Sequence, residues 1–166
     1  KRDDSLGDAY FEKAMPVDFQ IKSLKVIPSG ALAVVIDRSG SMSGEKLELG
    51  KAAAVEAIKV LGPMDYAGVV AFDSQAEWVA PMQVVRRPER MAAQIANLGP
   101  GGGTHMWPGM LEGFHALRKV KTSAKHMIIL SDGHTEGGDY ERLANDMRQL
   151  KMTVSTVALG MDADNA

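Results

Sequence analysis

The sequence contains no cysteine, which excludes disulfide bonds, thiolate nucleophiles and thiolate-ligated metals. The absence of cysteine is compatible with any compartment, so the localisation stays unassigned. Neither sign of charge dominates, because 19 basic residues face 21 acidic ones and leave a formal net charge of −2. No basic field is therefore available to attract nucleic acid, and we predict no nucleic-acid partner.

Long hydrophobic runs are also missing. No apolar stretch reaches the roughly 20 residues that a bilayer-spanning helix needs, so we predict no direct membrane insertion by these residues. At 166 residues the chain is long enough for one domain with a real core. It begins with Lys1 rather than Met, and we expect it to be a piece of a longer protein.

The most informative stretch is an apolar run that ends abruptly in polar residues. The run 31–36 is rich in β-branched side chains and is followed by Asp37, Ser39 and Ser41 around Gly40. A short continuous apolar run is typical of a strand buried on both faces of a parallel sheet. Open α/β sheets bind ligands at the carboxyl ends of such strands. One carboxylate and two hydroxyls on alternate residues form an oxygen cluster that suits a divalent cation.

The rest of the pattern alternates between strands and helices, which predicts an α/β fold. We expect a mostly parallel sheet with right-handed crossovers and helices on both faces. A hairpin is predicted at 66–72 and 77–85, and Pro81 places its second strand on an edge, antiparallel to its neighbour. Later strands are expected at 127–130 and 152–159. Helices are expected at 45–61, 88–98, 107–120 and 139–150, the last burying Tyr140, Leu143, Met147 and Leu150.

The domain is predicted to span residues 30–166. Residues 1–29 are interpreted as an N-terminal appendage or the tail of a preceding domain. Within them, Val17, Phe19 and Ile21 alternate with polar residues, which is typical of a half-exposed strand.

Two further loops reach the same edge of the predicted sheet. The glycine-rich stretch 99–103 leads into Thr104, just before a helix that starts at this edge, and the strand 127–130 ends at Asp132. Because carboxyl ends of parallel strands share one edge, five side chains converge there from three loops. They are Asp37, Ser39, Ser41, Thr104 and Asp132.

These motifs together resemble the signature of von Willebrand factor type A domains. The matching stretches are Asp37-Arg38-Ser39-Gly40-Ser41, Gly102-Gly103-Thr104 and Ser131-Asp132-Gly133. The resemblance implies a Rossmann-like sheet, here C-terminally truncated, because the family usually continues through another helix. It also implies a metal-ion-dependent adhesion site.

In that family the site holds Mg²⁺ or Mn²⁺. The resemblance implies Ser39, Ser41 and Thr104 as ligands, with Asp37 and Asp132 in the same site, often acting through water. The implied partner is a protein whose exposed Asp or Glu completes the coordination. The chemistry agrees, since hydroxyl ligands leave the cation only partly neutralised. Ca²⁺ and Zn²⁺ are less expected.

Each residue alone has a simpler explanation. Asp37, Ser39 and Ser41 are suitable caps for the helix at 45, Thr104 is a suitable cap for the next helix, and Asp132-Gly133 is a common turn. The set of five in matching contexts favours the metal site. Arg38 is interpreted as a solvated loop residue that could steer an acidic partner.

Histidines flank two of the proposed ligands. His105 and His134 are interpreted as surface residues, although contact of either with the ion would favour Zn²⁺ over Mg²⁺. Trp107 beside Thr104 is interpreted as packing, and its exposure would instead indicate a contact anchor.

Familiar enzyme classes each lack a required residue. An aspartyl-nucleophile phosphatase would need Asp at Ser39, a serine-hydrolase elbow would need Gly at Asp37 or Ser at Met42, and the glycine-rich loop lacks a P-loop lysine. The sequence therefore predicts a binding module and no enzyme. The alternative is a metal-assisted hydrolase with His105 or His134 as the base.

The N-terminal residues carry a second, short resemblance. Asp4-Ser5-Leu6-Gly7, Tyr10 and Ala14-Met15-Pro16-Val17 resemble the tail of an amidotransferase-like domain. In bacterial proteins such a domain is joined to a type A domain and membrane helices, which implies a membrane-anchored parent. No amidotransferase activity is expected here, because the chain has no cysteine nucleophile.

Overall fold

The computed structural model describes residues 29–133 and 137–160. The strands among them are β1 (Gly30–Asp37), β2 (Tyr66–Phe72), β3 (Ala76–Val84), β4 (Ala124–Ser131) and β5 (Met152–Ala158). The helices in the same residues are α1 (Glu45–Lys59), α2 (Pro88–Ala96), α3 (Met106–Lys119) and α4 (Tyr140–Gln149), with a short 3₁₀ helix at Gly40–Met42. The strand predicted around Val17 lies outside the described residues.

The strands form one sheet in the order β3-β2-β1-β4-β5. β1 runs parallel to both β2 and β4, and β4 runs parallel to β5. β3 is antiparallel to β2 and lies at the edge, where Pro81 was predicted to place it. The predicted α/β class and the antiparallel edge strand are therefore confirmed.

Helices cover both faces of the sheet. On one face, α1 and α2 pack on the even-numbered side chains of β1, such as Val34 and Ile36. On the other face, α3 and α4 pack on Ala33, Val35 and their neighbours in β4. Because β1 has a strand on each side and helices above and below, residues 31–37 are all buried. The apolar run in the sequence reflects this position.

The last described helix buries less than its pattern predicted. Leu143 and Met147 are buried, but Leu150 is 44% exposed, so its predicted burial is wrong. The helix ends at Gln149, and Leu150 follows it as the C-cap residue, where the side chain is no longer held on the buried face. None of the described helices has the length and apolar character needed to cross a membrane.

The connections leave β1 in two directions. The chain goes from β1 through α1 to β2 on one side, and it later returns through α3 to β4 on the other side. In open α/β sheets the crevice at such a reversal of strand order is the usual ligand site. The carboxyl ends of β1 and β4, which carry Asp37 and Ser131, flank this crevice.

A close approach at Gly68 generates a test of the fold. A Cβ atom at Gly68 would lie 2.8 Å from Cζ3 of Trp78 and 3.0 Å from the backbone Cα of Met82. Since the β3 backbone cannot move away freely, Gly68→Ala is expected to lower the free energy of unfolding by about 1–3 kcal/mol. Urea denaturation followed by circular dichroism measures this change.

Gly99→Ala is the matched control, because no atom lies within 4 Å of a Cβ built there. Its unfolding free energy is expected to stay within about 0.5 kcal/mol of the wild type. A Gly68→Ala variant as stable as Gly99→Ala would contradict the packing described for the β2–β3 edge.

Candidate metal centre

The buried carboxylate of Asp37 connects the ends of two strands. Its Oδ1 accepts a hydrogen bond from the backbone N–H of Ser39 at 2.8 Å, and its Oδ2 accepts one from the Ser131 hydroxyl at 2.8 Å. Asp37 has no exposed surface, and a buried carboxylate needs such donors to offset the loss of water. The two bonds fix the turn after β1 against the end of β4.

The hydroxyls of Ser39 and Ser41 lie side by side just beyond this carboxylate. Their Oγ atoms are 3.1 Å apart. Ser39 is fully buried, whereas Ser41 is exposed, and the intervening 3₁₀ turn is anchored by the buried side chain of Met42. The pair therefore extends from the interior to the surface of the carboxyl edge.

Two backbone hydrogen bonds hold the glycine-rich loop against this turn. The N–H of Gly101 donates to the carbonyl of Arg38 at 2.6 Å, and the N–H of Gly40 donates to the carbonyl of Gly102 at 2.9 Å. A Cβ at Gly101 would collide with the side chain of Asp73, so any larger residue there would have to displace that carboxylate. The loop carries the half-buried Thr104 to the same edge.

Asp132 follows β4 at the same edge of the sheet. Its side chain is 6% exposed, and its Oδ2 lies 3.3 Å from the ammonium of Lys46 on α1. The next residue, Gly133, has a φ of +97° and donates its N–H to the Ser131 hydroxyl at 3.1 Å. Ser131 thus links the Asp132 turn to Asp37.

The simpler capping explanation is wrong for both neighbouring helices. The N-cap of α1 is Gly44, and the N-cap of α3 is His105, in each case without a side-chain capping hydrogen bond. The hydroxyls of Ser39, Ser41 and Thr104 therefore do not cap these helices. Capping cannot account for the polar residues at this edge.

Arg38 is not the solvated residue that its loop position suggested. Its guanidinium lies 3.0 Å from Oδ2 of Asp73 and 3.2 Å from Oε2 of Glu77, and its side chain is 23% exposed. The prediction failed because the β2–β3 turn brings both acids against it, a contact between residues far apart in sequence. The N–H of Gln75 lowers the pKa of Asp73 most, and Arg38 lowers it further, against an opposing effect of burial.

The residues after Thr104 form one side of a cavity. His105 is half-buried, donates its backbone N–H to the carbonyl of Asp73 at 2.7 Å, and lines a cavity of about 480 Å³ with Ser74 and Thr104. Trp107 packs edge-on against Tyr140 with ring centroids 5.3 Å apart, which confirms its packing role. His134, the other candidate base, lies outside the described residues.

Two polar residues at this edge were given no role in the sequence analysis. Ser131 immediately precedes Asp132, and a hydroxyl at the end of a buried strand was the available signal. Lys46 lies in the first turn of α1, where the helix dipole favours acidic residues over a lysine.

The family model for the von Willebrand factor type A domain matches residues 31–166. The chain belongs to the von Willebrand factor type A family. The match covers most of the chain and all three loops of the candidate centre. Domains of this family typically mediate metal-dependent protein interactions and generally act as interaction modules.

Relatives of this type A domain occur in bacteria and animals. The Synechocystis sp. protein sll0103 is 37% identical over 133 residues, which cover 78% of this chain and 32% of that protein. Inter-alpha-trypsin inhibitor heavy chain H1 of Mesocricetus auratus is 30% identical over 121 residues, covering 67% of this chain and 13% of that protein. The chain therefore spans a third or less of these relatives.

Solved structures confirm the type A fold. A von Willebrand factor type A protein from Catenulispora acidiphila superposes with a TM-score of 0.66 at 23% identity, covering 78% of this chain and 33% of that one. Proximal thread matrix protein 1 from the mussel byssus, with a zinc-occupied MIDAS motif, superposes with a TM-score of 0.70 at 17% identity. The match covers 79% of this chain and 36% of that one.

The Arg38–Asp73 pair gives this type A domain an acid-sensitive contact. Folding lowers the pKa of Asp73, so the folded state binds fewer protons than the unfolded state and is stabilised above pH 3.8. This stabilisation is lost as the pH falls from 3.8 through the lowered pKa of the folded state. Asp73→Asn is expected to cost about 1 kcal/mol of unfolding free energy at neutral pH. The difference from wild type should shrink as the pH falls below 3.8 and the Asp73 carboxylate becomes protonated.

Chemical denaturation at a series of pH values, from neutral to well below 3.8, measures this effect. Glu77→Gln is the control, because Glu77 meets the same guanidinium but is 68% exposed, and its effect should be a few tenths of a kcal/mol at most. A deficit for Asp73→Asn that stayed constant down to the lowest pH would exclude the carboxylate charge as its cause.

Proposed function

We propose that this type A domain binds Mg²⁺ or Mn²⁺ at the carboxyl edge of its sheet and, through that ion, an acidic residue of a partner protein. The observation that carries the proposal is the adjacent pair of hydroxyls on Ser39 and Ser41, 3.1 Å apart, behind the buried carboxylate of Asp37. Ser39, Ser41 and Thr104 would hold the ion, with Asp37 and Asp132 beside them.

The spacing of the hydroxyls fits a small octahedral cation. Neighbouring ligands of an ion with metal–oxygen distances of about 2.0–2.1 Å are about 2.9 Å apart, close to the separation of the two Oγ atoms. Among residues 29–133 and 137–160, no group of three His, Cys, Asp or Glu side chains could hold a metal. A cation at this edge would depend on hydroxyl oxygens, which supports Mg²⁺ or Mn²⁺.

The carboxylates have a different task from the hydroxyls. Both oxygens of Asp37 already accept hydrogen bonds, yet each retains a second lone pair that can accept a further one. Asp37 therefore holds the Ser39 turn in place and adds negative charge beside it. Asp132 adds charge from β4 and is held by Lys46.

The partner is proposed to be a protein with an exposed Asp or Glu. The cation, when bound, supplies a Lewis-acidic position that accepts a carboxylate oxygen from outside the domain. Because Ser41 is exposed and Thr104 is half-buried, a cation held by them would lie at the surface, beside the cavity lined by Ser74 and His105. The exposure of Ser41 supports recognition of another macromolecule at this rim.

A second candidate is metal-assisted hydrolysis, favoured by one observation, that His105 lines the cavity next to Thr104. Turnover of phosphoester substrates that EDTA abolishes and His105→Ala lowers would support it, whereas no turnover across a broad panel would exclude it. The predicted bacterial, membrane-anchored parent stays a prediction, since its amidotransferase-like stretch lies outside the described residues.

Replacement of single site residues is expected to weaken cation binding. In calorimetric titration with Mn²⁺, Asp37→Ala and Ser41→Ala should each weaken binding by at least about tenfold, because loss of a ligand or of its supporting carboxylate has effects of this size. Ser41 is exposed, so its replacement leaves the core intact. Competition with Mg²⁺, Ca²⁺ and Zn²⁺ identifies the preferred ion.

Ser43→Ala is the control, because Ser43 lies on the same turn outside the proposed set, and its affinity for Mn²⁺ should equal that of the wild type. A wild-type domain that takes up neither Mg²⁺ nor Mn²⁺ would overturn the proposed function and leave the fold unaffected.

A further inference from the structure

One lysine of α1 reaches into the candidate metal centre. Lys46 lies in the first turn of this helix, and its Nζ is 3.3 Å from Oδ2 of Asp132. The Asp132 side chain is 6% exposed and that of Lys46 is 35% exposed, so the carboxylate is shielded from water while the lysine is partly exposed. A partly buried pair is screened less than a surface ion pair.

The stem of this lysine is held by the backbone beyond β5. A Cβ at Gly160 would lie 2.5 Å from Cε of Lys46 and 2.9 Å from its Cδ, and the φ of Gly160 is +74°. The N–H of Leu159 donates to the carbonyl of Ser131 at 3.0 Å, which fixes this segment beside Asp132. The aliphatic part of Lys46 therefore packs against Gly160, and its ammonium contacts the Asp132 carboxylate.

Two other lysines of α1 form ion pairs in the described residues, and both pair with acids of the same helix. Lys51 pairs with Glu48 and Lys59 pairs with Glu56, each three residues away on the same helix at 2.7 Å. Only Lys46, among the described ion pairs of α1, contacts an acid from a different element. An ion pair within the helix therefore does not explain why the Lys46 side chain extends toward Asp132.

We infer that Lys46 is a positioning residue that sets the charge of the metal centre. Its ammonium holds the Asp132 carboxylate and competes with the divalent cation for that charge. The inference rests on the proposed function, since it concerns how the same site binds its ion and its partner.

The formal charges of the centre show what the competition between Lys46 and the cation would achieve. Asp37, Asp132 and Lys46 together carry a formal charge of −1, and a divalent cation changes the total to +1. Without the ammonium the loaded centre would be neutral. Lys46 therefore weakens cation binding while it leaves a net positive charge that attracts an external carboxylate.

Lys46→Met tests the inference, because methionine keeps an unbranched stem across Gly160 and removes the charge. Calorimetric titration should show that Lys46→Met binds Mn²⁺ about tenfold more tightly than the wild type. Acetate titrated into the Mn²⁺-loaded protein, followed by water proton relaxation, should bind the variant more weakly. Loss of a merely structural lysine would loosen the site and weaken Mn²⁺ binding instead.

Three further variants isolate the charge. Lys46→Arg keeps the positive charge and should bind Mn²⁺ like the wild type. Lys59→Met removes a lysine about 20 Å further along the same helix and should leave the affinity unchanged. In an Asp132→Asn background, Lys46→Met should raise the affinity less than it does in the wild type, because the carboxylate that the ammonium holds is absent and only the repulsion between ammonium and cation is relieved.

The outcomes separate the inference from the proposed function. Mn²⁺ binding to the wild type with equal or weaker binding to Lys46→Met overturns the inference and leaves the proposed function standing. No Mn²⁺ binding to either protein overturns both. Thermal melting in EDTA verifies folding, and Lys46→Gln replaces Lys46→Met if the latter does not fold.

Discussion

The two hydrogen bonds of the buried Asp37 carboxylate are the constraint on which the carboxyl edge depends. One bond shapes the turn that carries Ser39 and Ser41, and the other joins β1 to Ser131 at the end of β4. Because the carboxylate is fully buried, neither donor can be exchanged for water without cost. The geometry of the site is therefore set by the fold of the sheet before any ion binds.

Positive charges on the protein accompany the other acids at this edge. Arg38 pairs with Asp73 and Glu77 on the β2–β3 side, and Lys46 pairs with Asp132 on the β5 side. These pairs limit the repulsion between the carboxylates that lie at this edge. The domain can therefore hold a preorganised arrangement of oxygens, which reduces the ordering that a cation must impose.

The sequence predicted the fold and the convergence of three loops, because both follow from local patterns. The run ending at Asp37 is typical of a central strand, and strand direction then placed Asp132 at the same edge. The roles of Arg38, Ser131 and Lys46 depend on side chains from distant elements, which no local pattern records. Leu150 followed the helical period but lies just past the helix end, where the period no longer decides burial.

The central claim is that hydroxyls from two loops of a type A domain surround one cation at the carboxyl edge. Anomalous diffraction from crystals soaked in MnCl₂ tests it most directly. The account predicts one strong peak in contact with the hydroxyls of Ser39, Ser41 and Thr104. A peak elsewhere on the domain, or no peak at this edge, would contradict it.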